Sequence, residues 1–298
     1  MNRVKKMLHG SQAYRRYQGN GICAAIVDTG LSPHPDIASH IAGFYDAISH
    51  HTVPYDNNGH GTHVSGILAG NGSLSRGLYS GIAPATTLVG VKVLNEKGNG
   101  NIQWIMKGLD WILLNQERYH IQIVNISIGT NDPAKFKEDC EFVKKVNSLW
   151  DAGMVVVCAA GNNGPDPYTI SAPGNSRKII TVGTFERQVS PRTSLHSGMG
   201  PTFSCIKKPD IVAPGLKVTS CASMAGIKKG HPYTTKSGTS MSTPMVAGAI
   251  SLLLEKEPFL SPKEIKIRLK NSSTDLHLPH EKQGWGHLHI DHLLGLTT

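Results

Sequence analysis

The chain reads Ser237-Gly238-Thr239-Ser240-Met241-Ser242-Thr243-Pro244-Met245-Val246-Ala247-Gly248 ahead of an apolar run, residues 249–254. This pattern predicts a buried helix that begins near Ser240, with Pro244 in its first turn, where the missing N–H costs nothing. A serine hydroxyl there lies beside unpaired backbone N–H groups and the positive end of the helix dipole. Ser240 is therefore a candidate nucleophile; the alternative is a serine that only caps a core helix.

The composition is typical of a globular α/β protein. The chain has 298 residues, of which 39% are hydrophobic and 17% charged, enough for a large core. There is no internal repeat, low-complexity linker or change of composition. We therefore predict a single domain over residues 1–298, in which residues 1–18 form a lead-in segment with a short helix over residues 7–17. No apolar run approaches the roughly 20 residues that span a bilayer, so we expect no membrane contact.

Nearly all-apolar runs alternate with amphipathic segments along the chain. The runs typical of strands covered on both faces of a parallel sheet are residues 22–27, 87–94, 121–128 and 154–160. Two shorter strands are predicted at residues 179–184 and 211–213, and helices at residues 101–114 and 133–150. This alternation predicts a three-layer α/β fold with a mostly parallel sheet and helices on both faces.

Polar side chains stand beside these segments at positions suited to catalysis. Asp28 follows the first strand, at the edge where open α/β sheets hold their active sites, although an Asx turn is an equally good interpretation. His60 opens a helix of small residues from the loop side, and beside Asp28 it would be fixed in one tautomer as a general base. His63, one turn further, is more typical of a packed histidine. Asn162 follows the fourth strand and could donate to an oxyanion, although Asn-Gly turns are common without that role.

The order Asp28, His60, Ser240, with Asn162 between the last two, is the order of these groups in subtilisin. The local sequences that agree are Val27-Asp28-Thr29-Gly30, His60-Gly61-Thr62-His63-Val64, Gly161-Asn162 and Gly238-Thr239-Ser240-Met241. The chain therefore resembles the subtilisin-like (subtilase) serine proteases over residues 19–285. Residues 90–94 and 208–215 make the resemblance greatest to intracellular bacterial members. A G-x-S-x-G esterase is disfavoured, because Ser242 stands where its second glycine belongs.

The resemblance implies a serine endopeptidase with Ser240 as nucleophile, His60 as general base and Asp28 as the group that orients His60. Asn162 and the Ser240 N–H would hold the oxyanion. The other implied site residues pair with an extended substrate or wall an apolar pocket, and they are Gly98, Asn99, Gly100, Ser127, Ile128, Gly129, Ala159, Ala160 and Gly161. Such a pocket implies broad specificity with a preference for large apolar residues.

Two departures from the family pattern bear on the site. Thr130 stands where subtilisins usually have a second glycine, which would narrow the pocket rim. Ser242 replaces a commoner alanine.

The alternative function is an inert pseudoprotease that binds partners or regulates them through its cleft. Such proteins usually lack a triad residue, and here all three are present.

We expect no required cofactor and no metal site. Residues 71–79 take the place of a calcium loop of secreted members, but they include no carboxylate and contain Arg76. A structural calcium ion is possible but not supported by that loop. Asp36 matches a family calcium ligand and is expected to make hydrogen bonds instead. The fifteen histidines show neither H-E-x-x-H nor paired Cys/His spacing.

The expected partners are polypeptide substrates, and the expected compartment is the cytoplasm. The formal net charge is +9, but the Lys and Arg residues are dispersed without interleaved aromatic residues, so nucleic-acid binding is not predicted.

The five cysteines are odd in number and partly inside apolar strands, as in proteins with reduced thiols. We expect neither a signal peptide nor an inhibitory pro-domain ahead of the catalytic motifs. The oligomeric state stays open.

Overall fold

The apolar runs of the sequence form the strands of one sheet. The computed structural model describes residues 1–130, 136–185, 196–228 and 230–296. The strands are β1 (Cys23–Asp28), β2 (Ile41–Asp46), β3 (Thr87–Lys92), β4 (Ile121–Ile126), β5 (Val155–Ala159), β6 (Ile180–Thr184) and β7 (Ile211–Ala213). Their order is β2-β3-β1-β4-β5-β6-β7, and every neighbouring pair is parallel. All carboxyl ends of the strands therefore meet at one edge of the sheet.

The α-helices precede, connect and follow the strands. In the described ranges they are α1 (Asn2–Met7), α2 (Ala13–Arg16), α3 (His60–Ala69), α4 (Ile102–Tyr119), α5 (Glu141–Asp151), α6 (Met224–Lys228), α7 (Thr239–Lys256), α8 (Pro262–Ser272), α9 (His280–Gln283) and α10 (Ile290–Leu293).

Successive residues of β1 point to opposite layers, as the two-residue period of a strand requires. Ala24 and Ile26 belong to the core that packs against α3 and α7. Ala25 and Val27 belong to a second core, which packs against α4 and α5. The predicted three-layer α/β architecture, with helices on both faces of a parallel sheet, is confirmed.

The helix that carries Ser240 begins where the sequence predicts, but its proline lies elsewhere. α7 starts at Thr239, and its N-cap is Gly238, with φ of 140° and no capping side chain. Ser240 therefore lies inside the helix and does not cap it. Pro244 is not in the first turn; it is the sixth residue of α7. Because it has no N–H, it leaves the Ser240 carbonyl without its usual helical partner.

Three strands of the structure were not predicted from the sequence. β2 is an edge strand with mixed burial, so it lacks the continuous apolar run of the central strands. A separate antiparallel hairpin consists of β8 (Val218–Cys221) and β9 (Tyr233–Lys236). β9 leads through Ser237 into α7. The Val218 carbonyl oxygen lies 3.0 Å from Nε2 of His63, which makes His63 the packed histidine that its position indicates.

Two helix boundaries differ from the expected ones. The helix predicted at residues 133–150 begins at Glu141, and residues 131–135 lie outside the described part of the chain. Phe136 and Cys140 have helical spacing, but both precede α5 and pack on the second core from a turn. The lead-in segment forms α1 and α2 instead of one helix over residues 7–17, because the chain turns at His9, where φ is 48°.

The lead-in segment packs on the rest of the chain. Val4 and Leu8 are buried in the same core as α3 and α7, and the Leu8 carbonyl accepts a hydrogen bond from the N–H of Ile290. No helix in the described ranges has both the length and the apolar character that a membrane span requires.

Candidate active site

The sheet edge and two helix starts bring the predicted catalytic side chains together. Asp28 is the last residue of β1, His60 is the first residue of α3, and Ser240 is the second residue of α7. α3 packs against both β1 and α7. Asp28 and His60 are in direct contact, and Ser240 contacts Ser127, the residue that follows the neighbouring strand β4.

Asp28 and His60 form a close hydrogen-bonded pair. Nδ1 of His60 lies 2.7 Å from Oδ1 and 3.0 Å from Oδ2 of Asp28. Asp28 is fully buried, and its Oδ1 also accepts the backbone N–H of Thr29 at 2.7 Å. Gly61 permits this approach, because a Cβ there would lie 2.1 Å from the carbonyl oxygen of Gly30. With the Nδ1 proton directed at the carboxylate, Nε2 is the basic nitrogen of His60.

Burial and charge act in opposite directions on His60. Burial lowers the pKa of the imidazole, but the charge and hydrogen bond of Asp28 outweigh burial and raise the pKa above its ordinary value of 6.5. The charge of Lys236 opposes this rise. The carboxylate therefore stabilises the imidazolium that forms when His60 takes up a proton.

The start of α3 is fixed by Asp56, which sequence reasoning missed. Its Oδ1 accepts hydrogen bonds from Oγ1 of Thr29 at 2.9 Å and from the N–H of Gly59 at 2.8 Å. Its Oδ2 accepts the N–H of Thr62 at 2.9 Å. Asp56 thus satisfies free N–H groups at the helix start and ties α3 to the residue after Asp28. An aspartate ahead of a predicted helix start is the signal that could have found it.

A buried lysine behind Asp28 was also missed. Lys92 pairs with Asp28 across the β1–β3 register. Its Nζ donates to the carbonyl of Leu94 at 2.7 Å, to Oδ1 of Asn57 at 3.0 Å and to the carbonyl of Thr29. Burial lowers the pKa of the ammonium, yet these acceptors replace its lost water. A charged residue at the end of an all-apolar strand was the available signal.

The hydroxyl of Ser240 is hydrogen-bonded to the neighbouring strand end. Oγ of Ser240 donates to the carbonyl oxygen of Ser127 at 2.9 Å. In the part of the chain that the structure describes, no hydrogen bond joins Ser240 to His60. The Ser240 hydroxyl is thus directed at the end of β4 and not at His60.

Asn162 lies against the start of α7. Its Oδ1 accepts the N–H of Thr239 at 3.1 Å and Oγ1 of Thr239 at 3.2 Å. Gly238 allows this contact, since a Cβ there would lie 3.3 Å from Oδ1 of Asn162. Because the oxygen of the amide is engaged, its exposed amino group is the part that can donate to a ligand beside Ser240.

The strand ends that follow β4 and β5 lie side by side, as expected for two predicted walls of one pocket. Ser171, which was not singled out in the sequence, packs on both of them. A Cβ on Gly129 would lie 2.8 Å from Cβ of Ser171, and a Cβ on Gly161 would lie 2.1 Å from its Oγ. Thr130 is tied to this segment, because its N–H donates to the carbonyl of Ala172 at 3.1 Å. Ile128 and the alanines Ala159 and Ala160 make these walls apolar.

The predicted loop edge, Gly98, Asn99 and Gly100, is exposed. The loop is closed by a hydrogen bond of 2.8 Å from the N–H of Asn95 to the carbonyl of Asn99. Between this loop and the strand end at Gly129 lies an apolar cavity of about 360 Å³, which the sequence did not indicate. Its apolar lining includes Leu94, Ile102, Ile105, Ile128 and Phe142.

Asp36 makes hydrogen bonds, as expected from the sequence. Its Oδ1 accepts Oγ of Ser73 at 2.9 Å and the N–H of Leu74 at 3.0 Å, and its Oδ2 accepts the hydroxyl of Tyr233 at 2.7 Å. The carboxylate thus joins the loop of residues 71–79 to β9.

One buried group of metal-ligand types occurs among the described residues, namely His34, Asp36 and Cys221, with candidate ligand atoms within 4.8 Å of one another. Nε2 of His34 lies 2.8 Å from the carbonyl oxygen of Pro232, and Nδ1 accepts the N–H of Asp36 at 3.0 Å. Both nitrogens of His34 are therefore already engaged. The donor set does not fit a metal ion without the loss of these bonds.

Comparison with known proteins agrees with this geometry. The serine protease AprX of Bacillus subtilis (strain 168) is 41% identical over 286 residues, which cover 89% of this chain and 64% of AprX. Subtilisin Savinase of Lederbergia lenta is 35% identical over 263 residues, which cover 88% of this chain and 87% of that protein. The crystal structure of a cold adapted subtilisin-like serine proteinase superposes with a TM-score of 0.74 at 27% identity, over 92% of this chain and 90% of that one. The subtilase family model, peptidase S8, matches residues 19–286, and the chain belongs to this family.

Proposed function

We propose that the chain is a serine endopeptidase that hydrolyses peptide bonds of proteins through an acyl-enzyme. The Asp28–His60 pair, joined at 2.7 Å beside the helix start that carries Ser240, is the observation that carries this proposal. Membership of the subtilase family and similarity to proteins named as serine proteases support it.

In each step of the proposed reaction, His60 takes up or releases one proton. Nε2 takes the proton of Ser240 as Oγ bonds to the peptide carbonyl carbon, and the imidazolium is stabilised by Asp28. His60 then gives this proton to the amine as the C–N bond breaks. Water attacks the acyl-enzyme and loses a proton to His60, and Ser240 regains a proton as its bond to the carbonyl carbon breaks.

The negative charge that develops on the carbonyl oxygen would be held by two donors. One is the amino group of Asn162, whose orientation is fixed by Thr239 through Oδ1. The other is the backbone N–H of Ser240 at the start of α7. Donors that are fixed in advance favour the transition state over the bound substrate.

The substrate would bind in extended form between two backbone edges, residues 98–100 and residues 127–129. The walls at residues 127–129 and 159–161 would take an apolar side chain beside the scissile bond. The cavity of about 360 Å³ between the two edges would take a second apolar side chain. Apolar contacts of this kind discriminate weakly between substrates, which favours broad specificity.

No bound metal is required in this proposal, and a reducing compartment such as the cytoplasm suits the chain. The hydrogen bonds of Asp36 at the position of a family calcium ligand support the first point. Free cysteines in the described ranges support the second: Cys23, Cys140, Cys158, Cys205 and Cys221.

The decisive experiment is labelling with a fluorophosphonate probe together with cleavage of casein. Wild-type protein is expected to label and to cleave, because both reactions need an activated serine. Ser240→Ala should abolish both, while Ser237→Ala, a matched loss of a nearby hydroxyl, should retain them. Cleavage that survives Ser240→Ala would refute the assignment.

An inert cleft that only binds partners is the second candidate. It is favoured by one observation, the hydrogen bond of the Ser240 hydroxyl to Ser127 instead of His60. A wild-type protein that is folded yet neither labels nor cleaves would support this candidate.

A further inference from the structure

A chain of buried hydrogen bonds runs from the centre of the sheet to the backbone of Ser240. Nδ2 of Asn125 donates to Oγ of Ser127 at 2.9 Å. Oγ of Ser127 donates in turn to the carbonyl oxygen of Ser240 at 3.2 Å. Asn125 is fully buried and Ser127 is 2% exposed, so water does not substitute for these partners.

The direction of this chain is determined by the single proton of a hydroxyl group. Because Ser127 uses that proton for the Ser240 carbonyl, its oxygen must accept from Asn125. The amino group of Asn125 therefore faces Ser127. The other end of the amide, Oδ1, is buried and has no hydrogen-bond partner among the residues that the structure describes, so the bond to Ser127 is the side-chain hydrogen bond there that orients Asn125.

The Ser240 carbonyl needs this donor because of Pro244. An α-helix would supply the N–H of residue 244 to this oxygen, and proline has none. The Ser127 hydroxyl donates the hydrogen bond that residue 244 cannot supply. Ser127 also accepts the Ser240 hydroxyl through its own carbonyl at 2.9 Å, so one residue contacts both the backbone and the side chain of Ser240.

We propose that Asn125 is a positioning residue, which acts through the Ser127 hydroxyl to fix the backbone of Ser240 relative to His60 and Asn162. This inference rests on the proposed function of the same site. Asn125 occupies a suitable place, because in the sheet register it pairs with Ile26 of β1 on one side and with Val157 of β5 on the other. β1 ends in Asp28, and β5 leads to Asn162. β4 lies between these two strands. Through Asn125 and Ser127 it therefore relates the position of Ser240 to the Asp28–His60 pair on one side and to Asn162 on the other.

The test compares Asn125→Ala, Ser127→Ala and the double variant. Small displacements of a reacting group have large effects on rate. We expect each single variant to lower the fluorophosphonate rate constant and kcat by roughly 10-fold, the effect of leaving one buried acceptor unsatisfied. KM should stay within about twofold, because the backbone edges that bind substrate are retained. The double variant should label no more slowly than the slower single variant, since Asn125 acts only through Ser127.

Ser242→Ala is the matched control. Ser242 is equally buried on the same helix, and its hydroxyl bonds to the carbonyls of Ala213 and Pro214 at 3.0 Å and to Oγ1 of Thr184 at 2.6 Å. Its loss should lower the thermal unfolding midpoint and leave the labelling rate unchanged.

Three results would overturn the inference: a wild-type labelling rate in Asn125→Ala, additive effects in the double variant, or an equal loss of labelling in Ser242→Ala. If Asn125→Ala does not fold, Asn125→Leu takes its place in the comparison, because leucine is similar in size to asparagine but lacks the donor to Ser127. Wild-type protein that fails to label would refute the proposed function itself, which separates the two failures.

Discussion

The buried charged groups Asp28, Asp56 and Lys92 all have hydrogen-bond partners. Asp28 is fully buried, and it accepts hydrogen bonds from Thr29 and His60. Asp56 satisfies the start of α3, and Lys92 lies across the register from Asp28 with acceptors on three sides. Because buried charges without partners are costly, these contacts stabilise the Asp28–His60 pair in the geometry that the proposed mechanism uses.

The first residue-scale prediction concerns pH. A general base works only when neutral, and Asp28 holds the pKa of His60 above 6.5. kcat/KM should therefore rise with pH through a single group whose midpoint lies above 6.5. Asp28→Asn should lower this midpoint and reduce kcat greatly, because the imidazolium loses its carboxylate.

Lys236→Gln should shift the midpoint of the pH profile in the direction opposite to Asp28→Asn. The charge of Lys236 lowers the pKa of His60, so its removal should raise the midpoint of the profile. Profiles measured from about pH 5 to pH 9 would check both shifts. Midpoints that fail to move in opposite directions would contradict the assignment of this limb to His60.

Sequence reasoning named the candidate residues for the proposed chemistry and missed residues that hold them in place. Asp28, His60, Asn162 and Ser240 stand in short local motifs, so a linear reading identifies them. Asn125, in contrast, acquires its relation to Ser240 only through a contact between β4 and α7. Hydrogen-bond partners of this kind are brought together by tertiary packing, so no recognisable motif or residue spacing in the sequence indicates them.

At the scale of elements, the same distinction holds for the strands. β1 and β5 are buried along their whole length, so their apolar runs predicted them. β2 is an edge strand and β9 has no fully buried residue; neither has the continuous run or clean alternation that sequence patterns require. β9 still matters to the site, because it carries Lys236 and delivers the chain to α7.

The element-scale prediction concerns the loop of residues 71–79. Asp36→Ala removes the acceptor of Ser73, Leu74 and Tyr233, and leaves these three partly buried hydrogen-bond donors without the carboxylate. We expect a loss of about 2–3 kcal/mol in the free energy of unfolding, which should lower the thermal midpoint by roughly 5 °C. Tyr233→Phe, which removes one of the hydrogen bonds, should cost about 1 kcal/mol.

Thermal unfolding followed by circular dichroism would measure the stabilities of wild-type protein, Tyr233→Phe and Asp36→Ala, which we expect to decrease in that order. If Asp36→Ala were as stable as wild type, or less affected than Tyr233→Phe, the carboxylate would not be the group that holds the loop to β9.

At the scale of the whole molecule, the sheet lies between two cores, and the helix that carries Ser240 belongs to one of them. α7 is buried over most of its length and packs on β4, β5, β6 and β7, so the start of this helix is fixed by much of the fold. The thiols that lie inside these cores are shielded as well. Burial raises the pKa of Cys23 to about 12 and raises the pKa of Cys158 and Cys221 further above the ordinary value. Buried thiols of this kind stay protonated and react slowly.

The final prediction follows from these thiols and from the bonded state of Asp36. Peptidase activity and the thermal unfolding midpoint should be unchanged by a strong reductant, because every cysteine of the described ranges is free and no disulfide there is lost on reduction. Both should also be unchanged by a calcium chelator, because Ser73, Leu74 and Tyr233 already satisfy Asp36. The four conditions, with and without each reagent, separate the two claims. A lower midpoint with chelator alone would reveal a structural metal ion, whereas a lower midpoint with reductant alone would argue against a reducing compartment.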